Sequence, residues 1–369
     1  MLKKENIFKQ LRIRIMRGEY QPGEKLPGES ALAAELKVSR MTLRAALRML
    51  KESGLIRTEN RSGNYVRETE NRKTYLVAVY GDELEHISVS CLYLVQELQK
   101  CLAESGDNLE LILTEQFRKG YSHTRWKNRL ARGKIAGIFL CGGGYAGDEP
   151  ELGFLKDACL PVVQLLGRPE DREIHDFPVM YHNSSEVLAD GVRYLHSLGH
   201  TRIATLFKHD HMRGFTRETY PEFLKACGIG SSIELVRYFK RMNQVSQLTR
   251  ELMFSMNPPT AFMCYCDNSA MRVLETLNEL GYQVPEQVSV MGICGYLERL
   301  FTVPPLSIVN FHYDLTAQEA VKVMREADQW YGTDRIITRP IPHEIVVKGS
   351  TAPCYRMKRE DNEYLVNGI

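Results

Sequence analysis

From Tyr75 to Ile293 the sequence alternates short apolar runs with stretches of helical periodicity, and this alternation restricts the fold more than any other feature. Runs at 75–80, 109–113, 135–141 and 161–165 read as strands. Leu92, Leu94, Val95, Leu98 and Leu102 repeat at helical spacing before Gly106, and another helix stops at Arg132-Gly133. The pattern then restarts with a helix over 184–198, a strand over 202–207, a helix at 220–227 and a strand at 234–239. It continues through a helix over 245–256, a strand over 261–264, a helix over 269–280 and a strand over 288–293. Strand–helix alternation requires mostly parallel sheets with helices on both faces, and its restart predicts two α/β lobes. Sites in such folds lie beyond the carboxyl ends of the strands.

The first 68 residues follow a different pattern. They hold 15 Lys and Arg against 8 Asp and Glu, an excess of seven in a chain whose total is +2, so the remaining 301 residues are net acidic by five. Such an excess on a short segment suits a polyanionic partner, because neutralised phosphates release counterions, although a merely solvated basic face has the same composition. Ile7, Phe8, Leu11 and Ile15 mark a first helix that ends before Pro22-Gly23, and Leu32, Ala33 and Leu36 mark a short second one. Ser39 is a good N-cap for a third helix from Arg40 to about Lys51, with Leu43, Leu47 and Leu50 on its apolar side and Gly54 past its end. On the opposite side Arg40, Arg44 and Arg48 recur every fourth residue and form one stripe, with the Thr42 hydroxyl beside it. Such a helix suits the major groove, where Arg donates to guanine or phosphate. Two short strands, 55–58 and 63–67, then flank a basic tip containing Arg61 and Gly63.

The stretch LPGESALAAELKVSRMTLRAALRMLKESGLIRTENRSGNYV resembles the winged helix-turn-helix of GntR-type regulators along nearly its whole length. The resemblance implies that Arg40, Thr42 and Arg44 contact DNA, with the Ser39 cap and Arg48 on the same helix, and that the wing tip around Arg61 and Gly63 reaches the adjacent minor groove. Two positions depart from the family: Ser30 stands where Arg is frequent, and Arg61 where the wing usually has Gly. Later, SLGHTRIA at 197–204, GYQVPEQVSVMG at 281–292, TVPPLSIV at 302–309 and HEIVVKGSTAP at 343–353 resemble the effector domain of LacI-type regulators. That similarity implies a two-lobed periplasmic-binding-protein-like fold over 75–352, with chain crossings near Asn183, Asn310 and Asp334. The expected organisation is a winged helix-turn-helix at 1–68, a linker at 69–74, lobe one over 75–183 and 310–334, lobe two over 184–309 and 335–352, and a tail at 353–369. The whole resembles arabinose-repressor-type chains, which join a GntR-type reader to a LacI-type sensor. By resemblance the partners are double-stranded operator DNA and a small effector, a sugar or sugar derivative, with a homodimer as the working unit and repression as the outcome.

Candidate effector contacts follow from the same resemblance. Arg217 stands about where the family often grips its ligand after the first strand of lobe two, and Asp267 follows the strand AFMC. Cys266 and Cys294 occupy positions where the family places Asn or Asp, and thiols are weak hydrogen-bonding groups. Tyr80, Asp82, Tyr145 and Tyr296 fall just past strand ends, where rings can stack on a sugar and Asp82 can accept hydroxyl protons. Alternatives stand beside these: Arg217 can pair with Glu218 or Asp210 on the surface, Asp267 can cap the next helix, and each tyrosine can be a loop residue.

No apolar run reaches the roughly 18 residues of a membrane span, and no signal-peptide core forms at MLKKENIFKQLRIRIM, so a cytoplasmic location is expected with no membrane partner. The nine cysteines lack paired spacings for zinc or a disulfide framework. Cys264 and Cys266 with His209 and His211 leave a metal sensor open, and Cys294 with a histidine base leaves a thiol enzyme open. Gly142-Gly143-Gly144 lacks the Lys-Ser/Thr ending of a phosphate loop, so an NTPase is not expected; no resident metal or cofactor is expected, and no catalytic residue is assigned.

Overall fold

The computed structural model describes residues 3–16, 19–59, 62–67, 73–79, 89–118, 121–131, 135–143, 145–209, 212–293 and 302–354. The chain divides into two compact units, Met1–Tyr181 with Tyr313–Pro340, and His182–His312 with Ile341–Ile369.

Unit one begins with the reader. Helices α1 (Lys3–Met16), α2 (Glu29–Glu35) and α3 (Arg40–Glu52) are followed by a hairpin of β1 (Ile56–Glu59) and β2 (Gly63–Val66). The predicted apolar positions converge: Ile7, Phe8, Leu11, Leu32, Ala33, Leu43, Leu47 and Leu50 form one buried cluster with Ile56 and Val66. The hairpin register pairs Ile56 with Val66 and Glu59 with Gly63, and a bridge from Lys25 to Tyr65 adds a third extended segment.

The rest of unit one is a doubly wound sheet. Its strands are β3 (Thr74–Val79), β4 (Asn108–Leu113), β5 (Ile135–Cys141), β6 (Val162–Gly167), β7 (Val179–Tyr181) and β13 (Thr338–Pro340), in the order β13-β7-β6-β5-β3-β4. All are parallel. Helices α4 (Val89–Ala103), α5 (Tyr121–Ala131), α6 (Pro150–Asp157), α11 (Tyr313–Arg325) and α12 (Ala327–Trp330) accompany it. Unit two repeats the plan with β8 (Ile203–Lys208), β9 (Val236–Phe239), β10 (Ala261–Cys264), β11 (Ser289–Ile293), β12 (Ser307–Asn310) and β14 (Glu344–Val346), in the order β14-β12-β11-β10-β8-β9. Only β14 is antiparallel, a short edge strand against β12. Helices α7 (Ser184–Ser197), α8 (Thr219–Ala226), α9 (Gln244–Met253) and α10 (Asp267–Glu279) cover this sheet.

Several expectations are corrected. Thr74 opens β3 and is not linker. The last crossing comes after Pro340, beyond Asp334, because β13 pairs with β7 and keeps the chain in the first sheet until then. The strand expected from Glu234 starts at Val236, since residues Gly230–Leu235 form a 3-10 turn whose Ser232 hydroxyl accepts from the Ile203 amide. The helix expected from Ser269 starts at Asp267.

Equivalent strand orders give each sheet a switch point, between β3 and β5 in unit one and between β8 and β10 in unit two. Neighbouring connections there leave on opposite faces, so a crevice opens at the carboxyl ends. Packing beneath it is close. A Cβ on Gly191 of α7 would lie 2.5 Å from Met263 Cε of β10 and 3.1 Å from Val309 Cγ2 of β12, so a larger residue there would force these side chains to shift.

Candidate functional site

In the reader, Ser39 caps α3 as its residue type predicts, accepting from the Thr42 amide at 3.1 Å, and its hydroxyl also meets the Thr42 hydroxyl at 2.9 Å. Ser39, Arg40, Arg44 and Arg48 are exposed, and Met41 between them is 83% exposed, which is unusual for a large apolar side chain in a packed domain. The arginine stripe is not wholly without acidic partners: Arg44 Nε donates to Glu29 Oε2 of α2 at 2.7 Å. Arg40 and Arg48 have no ion-pair partner among the described residues. Gly63 opens β2 at φ +126°, and a Cβ there would lie 3.0 Å from Lys25 Cε. Lys25 and Arg57 approach the Tyr65 ring at 6.0 and 5.3 Å, so the wing carries two cations that the sequence reading did not single out. Arg61, the predicted wing-tip cation, lies outside the described residues.

At the carboxyl ends of the unit-two sheet the central element is Arg213. Its guanidinium carbon is 4.3 Å from the Tyr265 ring centroid and 5.2 Å from that of Phe311, and Nη2 donates to the Tyr265 carbonyl at 2.8 Å. Phe311 in turn stacks on His182 at 4.4 Å, whose Nε2 donates to the Phe311 carbonyl at 2.6 Å. Burial pushes the His182 pKa down to about 4, against the raising effect of that bond, with Arg213, His343 and His312 adding to the depression. Arg213 itself has φ +53° and precedes Gly214 at φ +84°, a loop shape that helical or strand periodicity does not encode. The predicted Arg217 is exposed, its guanidinium 4.1 Å from the Tyr238 ring.

Asp267 is 4% exposed and begins α10, its Oδ1 accepting from the Asn268 amide at 2.8 Å. The cap is Cys266, whose amide donates to Ser269 Oγ at 3.0 Å and whose sulfur lies 3.6 Å from the same oxygen. Asp267 is therefore a first-turn carboxylate, favourably placed against the helix dipole, and not the cap. Cys264 is fully buried in the unit-two core, and burial pushes the thiols of Cys264 and Cys266 upward.

In unit one, Tyr145 is a core residue at 8% exposure, packed in the cluster of Phe117, Leu140 and Leu152, and not an aromatic plane on a rim. The polar centre nearby is Gln164, fully buried, whose Nε2 donates to the Gly142 carbonyl at 2.8 Å and to Asp171 Oδ2 at 2.7 Å. Gly143 is more than a permissive turn residue: a Cβ there would sit 2.8 Å from Gly167 Cα and 2.9 Å from Asp171 Oδ2. Tyr80, Asp82, Cys294, Tyr296 and His211 fall outside the described residues. Among the described residues, no group of three or more His, Cys, Asp or Glu side chains is arranged to hold a metal ion. Nor is any helix among them long and apolar enough to cross a membrane.

Residues 3–66 match the model of bacterial regulatory proteins of the gntR family, and residues 192–351 match that of the periplasmic binding protein-like domain. The arabinose metabolism transcriptional repressor of Geobacillus stearothermophilus is 24% identical over 354 residues, covering 91% of this chain and 94% of the relative. The mannosyl-D-glycerate transport/metabolism system repressor MngR of Escherichia coli is 48% identical over 62 residues, 17% of this chain and 26% of that protein. A solved complex of the transcriptional regulator CelR with cellobiose superposes with a TM-score of 0.58 at 22% identity, covering 88% of this chain and all of that one. The chain is a ligand-controlled, DNA-binding transcription regulator. It joins a GntR-family reader to a periplasmic-binding-protein-like effector domain, the architecture of the arabinose repressors.

Proposed function

We propose that this regulator is a cytoplasmic homodimeric repressor that binds a palindromic operator through α3 and releases it on binding a carbohydrate-class effector. The observation that carries the DNA half is the solvent-facing row of Arg40, Arg44 and Arg48 behind a capped N-terminus on a helix whose other side is fully buried. Arg40 and Arg44 near the N-terminal end are the base- or phosphate-contacting pair, Thr42 and Ser39 set the first turn, and Gly63 with Lys25 brings the wing toward the minor groove. Two copies related by a two-fold axis would address half-sites about one helical turn apart.

For the effector, Arg213 takes the anchoring role in place of Arg217. It is half-buried and held between two aromatic rings at the carboxyl ends of β8 and β10, whereas Arg217 is exposed. Tyr265 and Asp267 lie in the segment that follows β10, offering an aromatic face and a carboxylate acceptor. A carbohydrate is favoured by the relative named for arabinose metabolism and by the neighbour solved with cellobiose. The effector changes operator affinity only to the extent that it binds two conformations unequally, a coupling of about 1–3 kcal/mol in typical regulators.

The test is fluorescence anisotropy on a palindromic duplex selected by the protein, titrated with pentoses, cellobiose and sugar phosphates. Weakened binding with one of them, abolished by Arg213→Ala and retained in Arg217→Ala, supports the assignment. Equal loss in both variants removes the distinction between the two arginines, and indifference to every sugar removes the carbohydrate class. A metal sensor at Cys264 and Cys266 is the weaker reading, because burial raises both thiol pKa values where a metal-binding thiolate needs them lowered, while the thiol enzyme would rest on Cys294, outside the described residues.

A further inference from the structure

Helix α1 has two populated sides. Ile7, Phe8 and Leu11 enter the reader's own core, while Arg12 and Ile13 face the effector-domain part of unit one. Arg12 is 3% exposed, and its Nη2 donates to the carbonyl of Ile135, the first residue of β5, at 3.4 Å. Ile13 lies on the backbone of Gly332, just past α12: a Cβ at Gly332 would be 2.6 Å from Ile13 Cδ1. Cys159, at the turn before β6 with φ +53°, packs against the reader's apolar cluster. Tyr331 shares the same pocket, with Arg12 and Cys159 as its electrostatic neighbours. The reader is thus attached twice, through the segment that follows β2 and through α1.

We propose that this second attachment is a docking joint: Arg12 and Ile13 seat α1 on Ile135, Cys159 and the Tyr331-Gly332 turn, and the seat fixes the reader's orientation so that two copies can engage paired half-sites together. The seat is built to be weak. Arg12 Nε and Nη1 are buried without a hydrogen-bond partner among the described residues, and burying a guanidinium with a single long bond is costly, so the apolar contact of Ile13 must offset that cost. The seat does not occlude DNA binding, because Arg40, Arg44 and Arg48 stay exposed while α1 is seated. Its benefit is entropic: once one reader is bound, a fixed partner reader meets the second half-site at high effective concentration.

This inference rests on the dimeric reading above, and the experiment separates the two. Palindromic and single-half-site duplexes, selected by the wild-type protein from a random library, are titrated with full-length wild type, Ile13→Glu and Gly332→Asn. Ile13 lies outside the reader's buried cluster, and Asn tolerates the left-handed backbone at Gly332, φ +72°, while adding bulk against Ile13. Amide hydrogen exchange of residues 3–16 and 327–335 is read in parallel. The expected result is faster exchange in both segments, a loss of about tenfold or more on the palindrome, and unchanged half-site affinity in both variants. Tighter palindrome binding would make the seat an inhibitory latch and overturn the proposal. Unchanged exchange, or an unchanged palindrome preference, would overturn it while leaving the dimer intact. A wild type with no preference for the palindrome would sink the dimeric reading and the proposal with it.

Discussion

His182 offers a stability prediction whose size follows from its surroundings. The ring is 7% exposed, stacked on Phe311 and hydrogen-bonded to its carbonyl, and burial holds its pKa at about 4 against an ordinary 6.5. The folded ring is therefore neutral down to about pH 4, while the unfolded ring gains a proton below about pH 6.5. Because the unfolded state binds more protons in that window, stability is complete above pH 6.5, falls as the pH drops, and stops changing from this source below pH 4. At pH 5 the unfolded ring has gone about 1.5 units past its midpoint, worth about 2 kcal/mol at 1.36 kcal/mol per unit. Urea denaturation followed by far-ultraviolet circular dichroism at pH 7.5 and pH 5.0 measures the difference. His182→Gln keeps a donor for the Phe311 carbonyl and removes the titration, so its loss between the two pH values should be smaller by about 2 kcal/mol. His175 and His200, whose pKa values burial also lowers, remain in both proteins and cancel in the comparison. If His182→Gln loses as much stability as the parent, the ring is not held neutral in the folded protein and the reasoning fails.

Glu29→Ala should leave thermal stability within about 1 kcal/mol, since Arg44 and Glu29 form an exposed pair, yet tighten DNA binding by freeing the Arg44 guanidinium; anisotropy on a fixed duplex at two salt concentrations reads this. Ser39→Ala removes the cap on α3 and should cost about 1 kcal/mol in the reader's unfolding, with a parallel loss of operator affinity that Ser39→Asp largely restores in stability. Gly191→Ala would drive a methyl into Met263 and Val309 and should destabilise unit two by about 1–3 kcal/mol, measured as a lowered urea midpoint with an unchanged slope.

Much of the architecture was legible because it rests on periodicity. The stretches that most clearly resembled an effector domain are legible for a structural reason: His200 from the first binds Ser289 Oγ from the second at 3.1 Å and the Ala352 carbonyl from the last at 3.0 Å, with Thr260 on its other nitrogen. They join the start of β11 to the chain's return. Short strands such as β13 and β14 were missed because three residues carry no readable period. The different settings of two nearby arginines were not legible: Arg213 and Arg217 are equally basic in sequence, and the left-handed backbone at Arg213 and Gly214 turns the first toward Tyr265 and Phe311. The setting of Tyr145 was not legible either, since a tyrosine past a strand end suits a rim or a core, and here it packs in the core with Phe117, Leu140 and Leu152.

The reader's charge can now be assigned to places. Its acidic residues are not spread evenly: Glu35 and Glu19 meet Arg14, Glu59 meets Arg57 and Glu29 meets Arg44. Arg12 is withdrawn into the seat beneath α1. The cations left without an acidic partner among the described residues include Arg40 and Arg48, on the outer face of α3, so part of the excess counted along the sequence falls on the face proposed above to meet DNA. An even basic surface would bind DNA in many orientations, whereas cations gathered on α3 and the adjoining wing favour a single approach. Such a reader gains from a fixed mounting, because an orientation-selective surface forfeits affinity for paired half-sites whenever its carrier lets it rotate.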